Sequence, residues 1–408
     1  MYYGKEYIMY EECFNEIIDR NNANQRALSF SMGKAMFGNK VSEILPGYTS
    51  IPMWVADTSF ALPDFISDAL KQRIDQKTFG YFYLDDRYYQ AIIHWLDKRH
   101  QVKNITLDNI GFCNGVVGGV FAALAMDGKE NDAVLIHNPC YIGFKRAANL
   151  AKRTLVYSDL IMDESGLMRM DFKDMEAKIK QYNIKKMILC SPHNPSGRVW
   201  EKEELIQLIN LALTYDMVIV VDEIWSDIVC KDYEFTSLLN FNPIRNHLIY
   251  LAAPSKTFSL AGLSGSYDVV FNPELKNKYE QFKHNCGFNK ANALSCEALI
   301  AAYNQGDMWV DQLNEVIHQN LVTMRNFILS IDGLKCALPQ GTYMLYVDCT
   351  DYCRNHQIDL DELLAKGVRK GVLWQDGRPF GHPCSIRINV ALPPILLAEA
   401  IQRLSGEL

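Results

Sequence analysis

The chain predicts an α/β fold: a large domain of mainly parallel sheet covered by helices, a smaller α+β C-terminal domain and an N-terminal arm. Three observations lead there. From Ala133 to Val221, short apolar runs rich in β-branched residues alternate with amphipathic stretches of helical length, as in a parallel sheet covered by helices on both faces. Beyond Asp332-Gly333 the pattern changes to short strands and two helices. Before about residue 50 periodicity is weak, and Asn21-Asn22-Ala23-Asn24 and Leu45-Pro46-Gly47-Tyr48 are poor helix formers, so this stretch reads as an arm laid over another surface. The expected divisions are 1–50 for the arm, 51–305 for the large domain and 306–408 for the small domain, with 306–330 as a bridging helix.

Leu62-Pro63-Asp64 opens the first long helix, since Phe65, Ile66, Ala69, Leu70 and Ile74 fall at helical spacing and proline is tolerated in a first turn. After the loop Phe79 to Asp86, a second amphipathic helix covers about Arg87 to His100, followed by a short strand at Ile110 to Cys113. Asn114-Gly115-Val116-Val117-Gly118-Gly119 then sets glycines before a helix. Free backbone N–H groups and roughly half a positive charge at such a helix start suit an anion. Strands follow at Ala133 to His137, Thr154 to Tyr157, Lys186 to Cys190, Met217 to Val221 and Leu248 to Leu251. Between them lie helices after Tyr141, near Phe172 to Tyr182 and near Glu201 to Tyr215, and Asp268 to Phe271 ends the region. Helices are then expected at about Pro273 to Cys286, Ala293 to Tyr303 and Asp307 to Ser330. In the small domain, strands are expected at Leu334 to Leu338, Met344 to Val347 and Ser385 to Val390, with helices at Leu360 to Lys370 and Pro393 to Leu404.

Composition narrows the function. With 408 residues, 49% of them hydrophobic, the chain can bury a large core. A net charge of -7 without a basic stripe argues against a nucleic-acid partner. The 11 cysteines are scattered, with no C-x-x-C pair and no zinc-type Cys/His spacing, so reduced thiols are expected rather than a disulfide framework or a metal site. Charges interrupt Met1 to Arg20, and no apolar run approaches membrane-spanning length, so a cytoplasmic protein without a membrane partner is expected.

The ends of three buried strands carry the chemistry. Lys256 follows Leu248 to Leu251 within Ala252-Ala253-Pro254-Ser255-Lys256-Thr257-Phe258; desolvation there would lower its pKa and free an amine that can hold a carbonyl cofactor as a Schiff base. Asp222 ends Met217 to Val221, and Asn194 lies in the Pro- and Gly-rich loop after Lys186 to Cys190. Amide, carboxylate and amine at three strand ends are what pyridoxal 5′-phosphate requires: an O3′ partner, a pyridinium partner and a Schiff-base lysine. Plainer roles exist for each: a snorkelling lysine, a helix N-cap and a turn asparagine.

Eight stretches extend the case: Met53-Trp54-Val55-Ala56-Asp57, Phe79-Gly80-Tyr81, Arg99-His100, Gly115-Val116-Val117, the loop Ser191 to Trp200, Ser255 to Leu263, Gly341-Thr342-Tyr343 and Arg387-Ile388-Asn389. In these, and in their order, the chain resembles the fold-type I pyridoxal-phosphate enzymes of the aminotransferase class I/II superfamily, and most of all the cystathionine β-lyase or C–S lyase branch that includes cystalysin-type enzymes. The resemblance implies a Schiff base on Lys256, which then acts as base at Cα, and Asp222 on the pyridinium. It implies Asn194 on O3′, Tyr141 stacked on the ring, and phosphate held by Ser255 with the amides of Val116 and Val117. Tyr81 would reach the phosphate of a neighbouring subunit's cofactor, making the active unit a homodimer with shared sites, and Arg387 would clamp the substrate carboxylate. Core packing for Tyr141, a local backbone bond for Ser255 and a solvated strand face for Arg387 are the alternatives.

Three departures stand out. Trp225 occupies the place where aminotransferases commonly have Tyr and C–S lyases His; an indole donates a hydrogen bond but cannot accept or carry a proton, which leaves it a passive cofactor contact. Ser264 stands where aminotransferases place an arginine after Gly-Leu, which favours the lyase branch. Thr58-Ser59 lacks a carboxylate of the family's Ala-Asp-Met-Asp-Phe run. The expected activity is β-elimination of a cysteine S-conjugate such as cystathionine to pyruvate, ammonia and a thiol. The alternatives are transamination on the same scaffold and a cofactor-binding regulatory protein.

Overall fold

The structure is a computed structural model and describes residues 10–20, 24–41, 43–163, 166–287 and 290–408. In chain order its strands are β1 (Ile51–Met53), β2 (Ile110–Cys113), β3 (Ala133–Asn138), β4 (Thr154–Asp159), β5 (Ile161–Met162) and β6 (Met168–Arg169). They continue with β7 (Lys186–Cys190), β8 (Val218–Asp222), β9 (Leu248–Ala252), β10 (Ser266–Val269), β11 (Met344–Asp348), β12 (Val372–Asp376) and β13 (Ser385–Asn389).

Seven strands form the main sheet in the order β2-β10-β9-β8-β7-β3-β4. From β9 to β4 all neighbours are parallel, and β10 runs antiparallel to both β9 and β2. The central strands β7, β8 and β9 are buried almost throughout, because helices cover both faces and leave no position for an alternating polar residue. The chain leaves β3 toward β4 on one side and returns to β7 on the other. This reversal opens a crevice at the carboxyl ends of β3 and β7, where open α/β sheets bind ligands. Cys190 pairs in register with Asp222, and Asp222 with Leu251, so β7, β8 and β9 end at one level and deliver their following residues to one place.

The helix Val116–Ala125 packs on β8, β9 and the helix Ile142–Leu150. It approaches closely because Gly119 has no side chain: a Cβ there would sit 2.6 Å from Leu251 Cδ2. At its start Gly115 has φ +79°, a conformation most side chains disfavour. The helix therefore begins at the sheet's carboxyl edge.

The smaller sheet has the order β1-β12-β13-β11, with β1 parallel to β12 and the other pairs antiparallel. Ile51–Met53, expected to open the large domain, instead forms the edge of this C-terminal sheet. Neither β12 nor the helix Thr350–His356 was apparent from periodicity. Leu334 to Leu338 is not a strand: Lys335 exchanges backbone hydrogen bonds with Asp348 at 3.0 and 2.8 Å, and the chain then turns away toward Gly197. The 23-residue helix Asp307–Leu329 runs between the domains, and Tyr10 and Phe14 of the arm pack on its Trp309 with ring centroids 5.5 and 4.6 Å apart. Among the described residues no helix is long and apolar enough to cross a membrane, and no group of three His, Cys, Asp or Glu side chains could hold a metal ion. All cysteines are free thiols.

Candidate active site

Lys256 stands just beyond β9 and its Nζ donates to the carbonyl of Ala56 at 2.8 Å. Burial, reinforced by the nearby Arg387 charge and opposed by Asp57 and Asp222, lowers its pKa to about 8. A tenth or so of the amine is therefore neutral even at pH 7. The segment carrying it is held from below by Asp227, which accepts from Thr257 Oγ1 at 2.9 Å, Trp95 Nε1 at 3.1 Å and His100 at 3.0 Å. His100, singled out in the sequence only as part of a motif, thus helps seat the loop on which Lys256 sits.

Asp222 is 3% exposed at the end of β8 and accepts the Ile224 N–H at 3.0 Å. Burial outweighs that bond and the pull of Lys256, raising its pKa to about 7. A carboxyl held this way gains most from a cation brought to it. Tyr141, after β3, lies within electrostatic range of both Asp222 and Arg387, and burial raises its pKa. Its ring meets Phe144 edge-on at 5.5 Å. Asn194 is buried and accepts from Arg387 Nη1 at 3.0 Å, which ties the β7 loop to the small domain.

Val116 and Val117 form the first turn of their helix, whose N-cap Gly115 offers no side-chain cap. A Cβ added at Gly115 or at Gly118 would meet nothing within 4 Å. Uncapped N–H groups facing open space at a helix start are a place for phosphate. Ser255 is 8% exposed and directly precedes Lys256.

Arg387 is 3% exposed on β13. Its Nη2 donates to the carbonyl of Trp54 at 3.0 Å and to Gln375 of the neighbouring β12, while the guanidinium lies 4.5 Å from the centre of the Phe380 ring. Its Nε is buried without a partner. Burial lowers its pKa only to about 10, so it stays charged at neutral pH with a donor in reserve for a carboxylate. Two residues along, Asn389 donates to the carbonyls of Val55 and Asp57, both at 2.6 Å, and pins the loop whose Ala56 holds Lys256.

Trp225 is buried between Lys256, whose Nζ is 5.6 Å from its ring centre, and Tyr343, which it meets edge-on at 4.7 Å. Tyr81 does not join the site of its own chain: it is fully exposed on the surface. Sequence reading gave no role to Arg20, which reaches Ser59 Oγ at 2.7 Å and Asp57 at 3.4 Å, or to Tyr343, whose buried hydroxyl has no partner. It also gave no role to Gln375, or to Asn389, which it quoted only within a motif. Alternation along β13 puts Asn389 on the same face as Arg387 and could have found it, whereas Gln375 required knowing that β12 pairs there. Arg20 gave no signal.

A reactive amine, a buried carboxyl with no ion pair among the described residues, an open helix start and an arginine with a free donor are the apparatus expected of a fold-type I pyridoxal-phosphate enzyme. The comparisons agree. The model of the aminotransferase class I and II family matches residues 55–404, and the chain belongs to that family. Cystathionine beta-lyase PatB of Bacillus subtilis is 29% identical over 375 residues, covering 91% of this chain and 95% of PatB. The pyridoxal-phosphate-bound structure of a provisionally assigned aminotransferase from Clostridium difficile 630 is 33% identical with a TM-score of 0.88, covering 97% and 99% of the two chains. The pyridoxal-phosphate-bound C–S lyase from Staphylococcus hominis is 29% identical with a TM-score of 0.86, covering 97% of each. The cofactor is pyridoxal 5′-phosphate. The likeness to PatB and to the C–S lyase bears out the branch to which the sequence motifs pointed.

Proposed function

We propose that the protein is a pyridoxal-phosphate-dependent C–S lyase that eliminates the sulfur substituent of a cysteine S-conjugate such as cystathionine, yielding pyruvate, ammonia and a thiol. The observation that carries this reading is the pairing of Arg387, with its unpartnered Nε, and Lys256, with its pKa of about 8. Arg387 takes the α-carboxylate, Asn194 and the Trp54 carbonyl fix the angle of its guanidinium, and Lys256 removes the proton from Cα. When bound, the cofactor supplies an electron sink for the pair left on Cα. Asp222, as a carboxylate, would hold the protonated pyridine nitrogen. The pair from Cα would then form the Cα=Cβ bond as the Cβ–S pair leaves with sulfur, the proton taken by Lys256 would pass to that thiolate, and water would convert the released aminoacrylate to pyruvate and ammonia.

Ser264 in the place of an arginine and the likeness to lyases favour elimination over transamination. Product analysis decides between them. Cystathionine should give pyruvate with a free thiol and cysteine should give pyruvate with sulfide; glutamate formed from 2-oxoglutarate, with a keto acid matching the substrate, would overturn the assignment. A cytoplasmic homodimer belongs to the same proposal, and Tyr81, fully exposed on its own subunit, is the residue that would reach a neighbour's cofactor. Mixing Tyr81→Phe with Lys256→Ala should restore activity through hybrid dimers, and no recovery after demonstrated subunit exchange would remove Tyr81 from the site.

A further inference from the structure

A cavity of about 340 Å³ lies outside the site described above, where the two domains meet. Met162 and Met168 of the β5–β6 hairpin, Leu329 at the end of the interdomain helix and Leu338 give it apolar walls. Its volume falls in the range of small-molecule sites. Three cations line it, and two are already matched: Arg198 pairs with Glu204 and Gln340, and Lys335 with Asp351 at 2.6 Å. The third is Arg325. Its Nε is buried without a hydrogen-bond partner, and among the described residues no carboxylate comes within ion-pairing distance of its guanidinium. Asp348, the acidic group of the lining, is engaged by the backbone N–H and hydroxyl of Thr350 at 2.8 and 2.6 Å. A mainly apolar chamber with one guanidinium left unmatched among the described residues suits a ligand with an apolar body and a single carboxylate.

One wall of the cavity is the back of the active site. Ser196 bonds His193 Nδ1 at 2.7 Å, next to Asn194, which holds Arg387. The Gly197 carbonyl accepts both Gln340 and Gly341 N–H groups at 2.9 Å, and two residues later Tyr343 lies against Trp225. A ligand that favours one arrangement of these two segments would change how Arg387 and Trp225 are set.

We propose that this cavity is a second ligand site for a small apolar monocarboxylate, and that its occupancy tunes amino-acid binding at the active site. The second half rests on the reading of Arg387 given above; the first half does not. The test is calorimetric titration of the holoenzyme with 3-phenylpropionate, octanoate and neutral 3-phenylpropionamide, with the active site blocked by aminooxyacetate. Saturable binding of the carboxylates should survive the block, fall about tenfold or more for the amide and in Arg325→Gln, and vanish in Leu338→Trp, as expected when a charge-assisted bond or the space itself is removed. No saturable binding at millimolar carboxylate, binding lost on blocking, or equal affinity in folded Arg325→Gln would overturn the site. In unblocked enzyme 3-phenylpropionate should shift KM for the amino acid more than kcat, and this shift should be absent in Leu338→Trp. Binding without any KM shift would overturn the coupling and leave the site standing.

Discussion

The two sides of the active site are built in opposite ways. On the side proposed for the cofactor, Asp222 ends, and Asn194 and Lys256 follow, three parallel, in-register strands, and burial is what tunes Asp222 and Lys256: one acid is raised to about 7 and one amine lowered to about 8. On the side proposed for the substrate, Arg387 and Asn389 come from the small sheet and act through bonds to the backbone carbonyls of residues 54, 55 and 57. The first side sets reactivity by withholding water and the second sets position by directed donors. Damage to the first should appear in kcat and in cofactor chemistry, and damage to the second in KM.

The comparison would break most visibly at Lys256. Lys256→Ala should lower turnover by at least about 10³-fold, the scale of a missing base, and borohydride reduction of the holoenzyme should label Lys256. A pyridoxyl group on another lysine would move the centre of the site.

Asp222→Asn should still bind cofactor and lose about 10²-fold in kcat, as when a preorganised electrostatic partner is removed. The same residue makes a pH prediction for the cofactor-free protein. Its folded pKa, about 7, lies above its ordinary 3.8, so the folded state binds the proton more tightly. Its contribution is full below pH ~4 and is lost as pH rises toward 7, a swing on the order of a few kcal/mol. Glu223, which burial raises to about 8, extends the decline. Buried His137 and His193, lowered to about 4 and about 3, act in the opposite sense below their ordinary 6.5, so the test is a difference: in thermal melts of apo-protein, the stability of the native chain relative to Asp222→Asn should fall from pH 5 to 8, and a pH-independent difference would contradict the buried carboxyl.

On the other side, Asn389→Ala should cost about tenfold in kcat/KM, expressed mainly in KM, as expected for two lost bonds that hold a loop rather than the chemistry. An equal loss in kcat would erase the division between the two sides.

Trp225 gives the smallest effect and the finest distinction. If the indole only fills space beside Lys256 and Tyr343, Trp225→Phe should keep cysteine turnover within about threefold, since the aromatic contact survives. Trp225→His should improve cystathionine relative to cysteine by opening volume. Measurement of kcat/KM for both substrates checks this: a collapse in the Phe variant would assign the indole N–H a catalytic part, and an unchanged ratio in the His variant would reject the volume argument.

The sequence by itself determined the three strand ends proposed to hold the cofactor. Apolar runs of strand length, each followed by Asn194, Asp222 or Lys256, are local patterns, and a buried parallel strand has to end where its apolar run ends. Gly115 before a helical stretch and Arg387 alternating with Ile386 and Ile388 were legible for the same reason. Only the tertiary structure decided what surrounds Arg387 and where the second cavity lies. The partners Trp54–Arg387, Arg20–Asp57 and Gly197–Gln340 are separated by 333, 37 and 143 residues. The short strands β1 and β12 show no clear period until they pair, and Arg325 sits on a long helix like any surface cation. Local periodicity encodes which face of an element is buried; it carries no information about which distant face will lie opposite, and that juxtaposition decides whether a guanidinium is satisfied or left with a free donor.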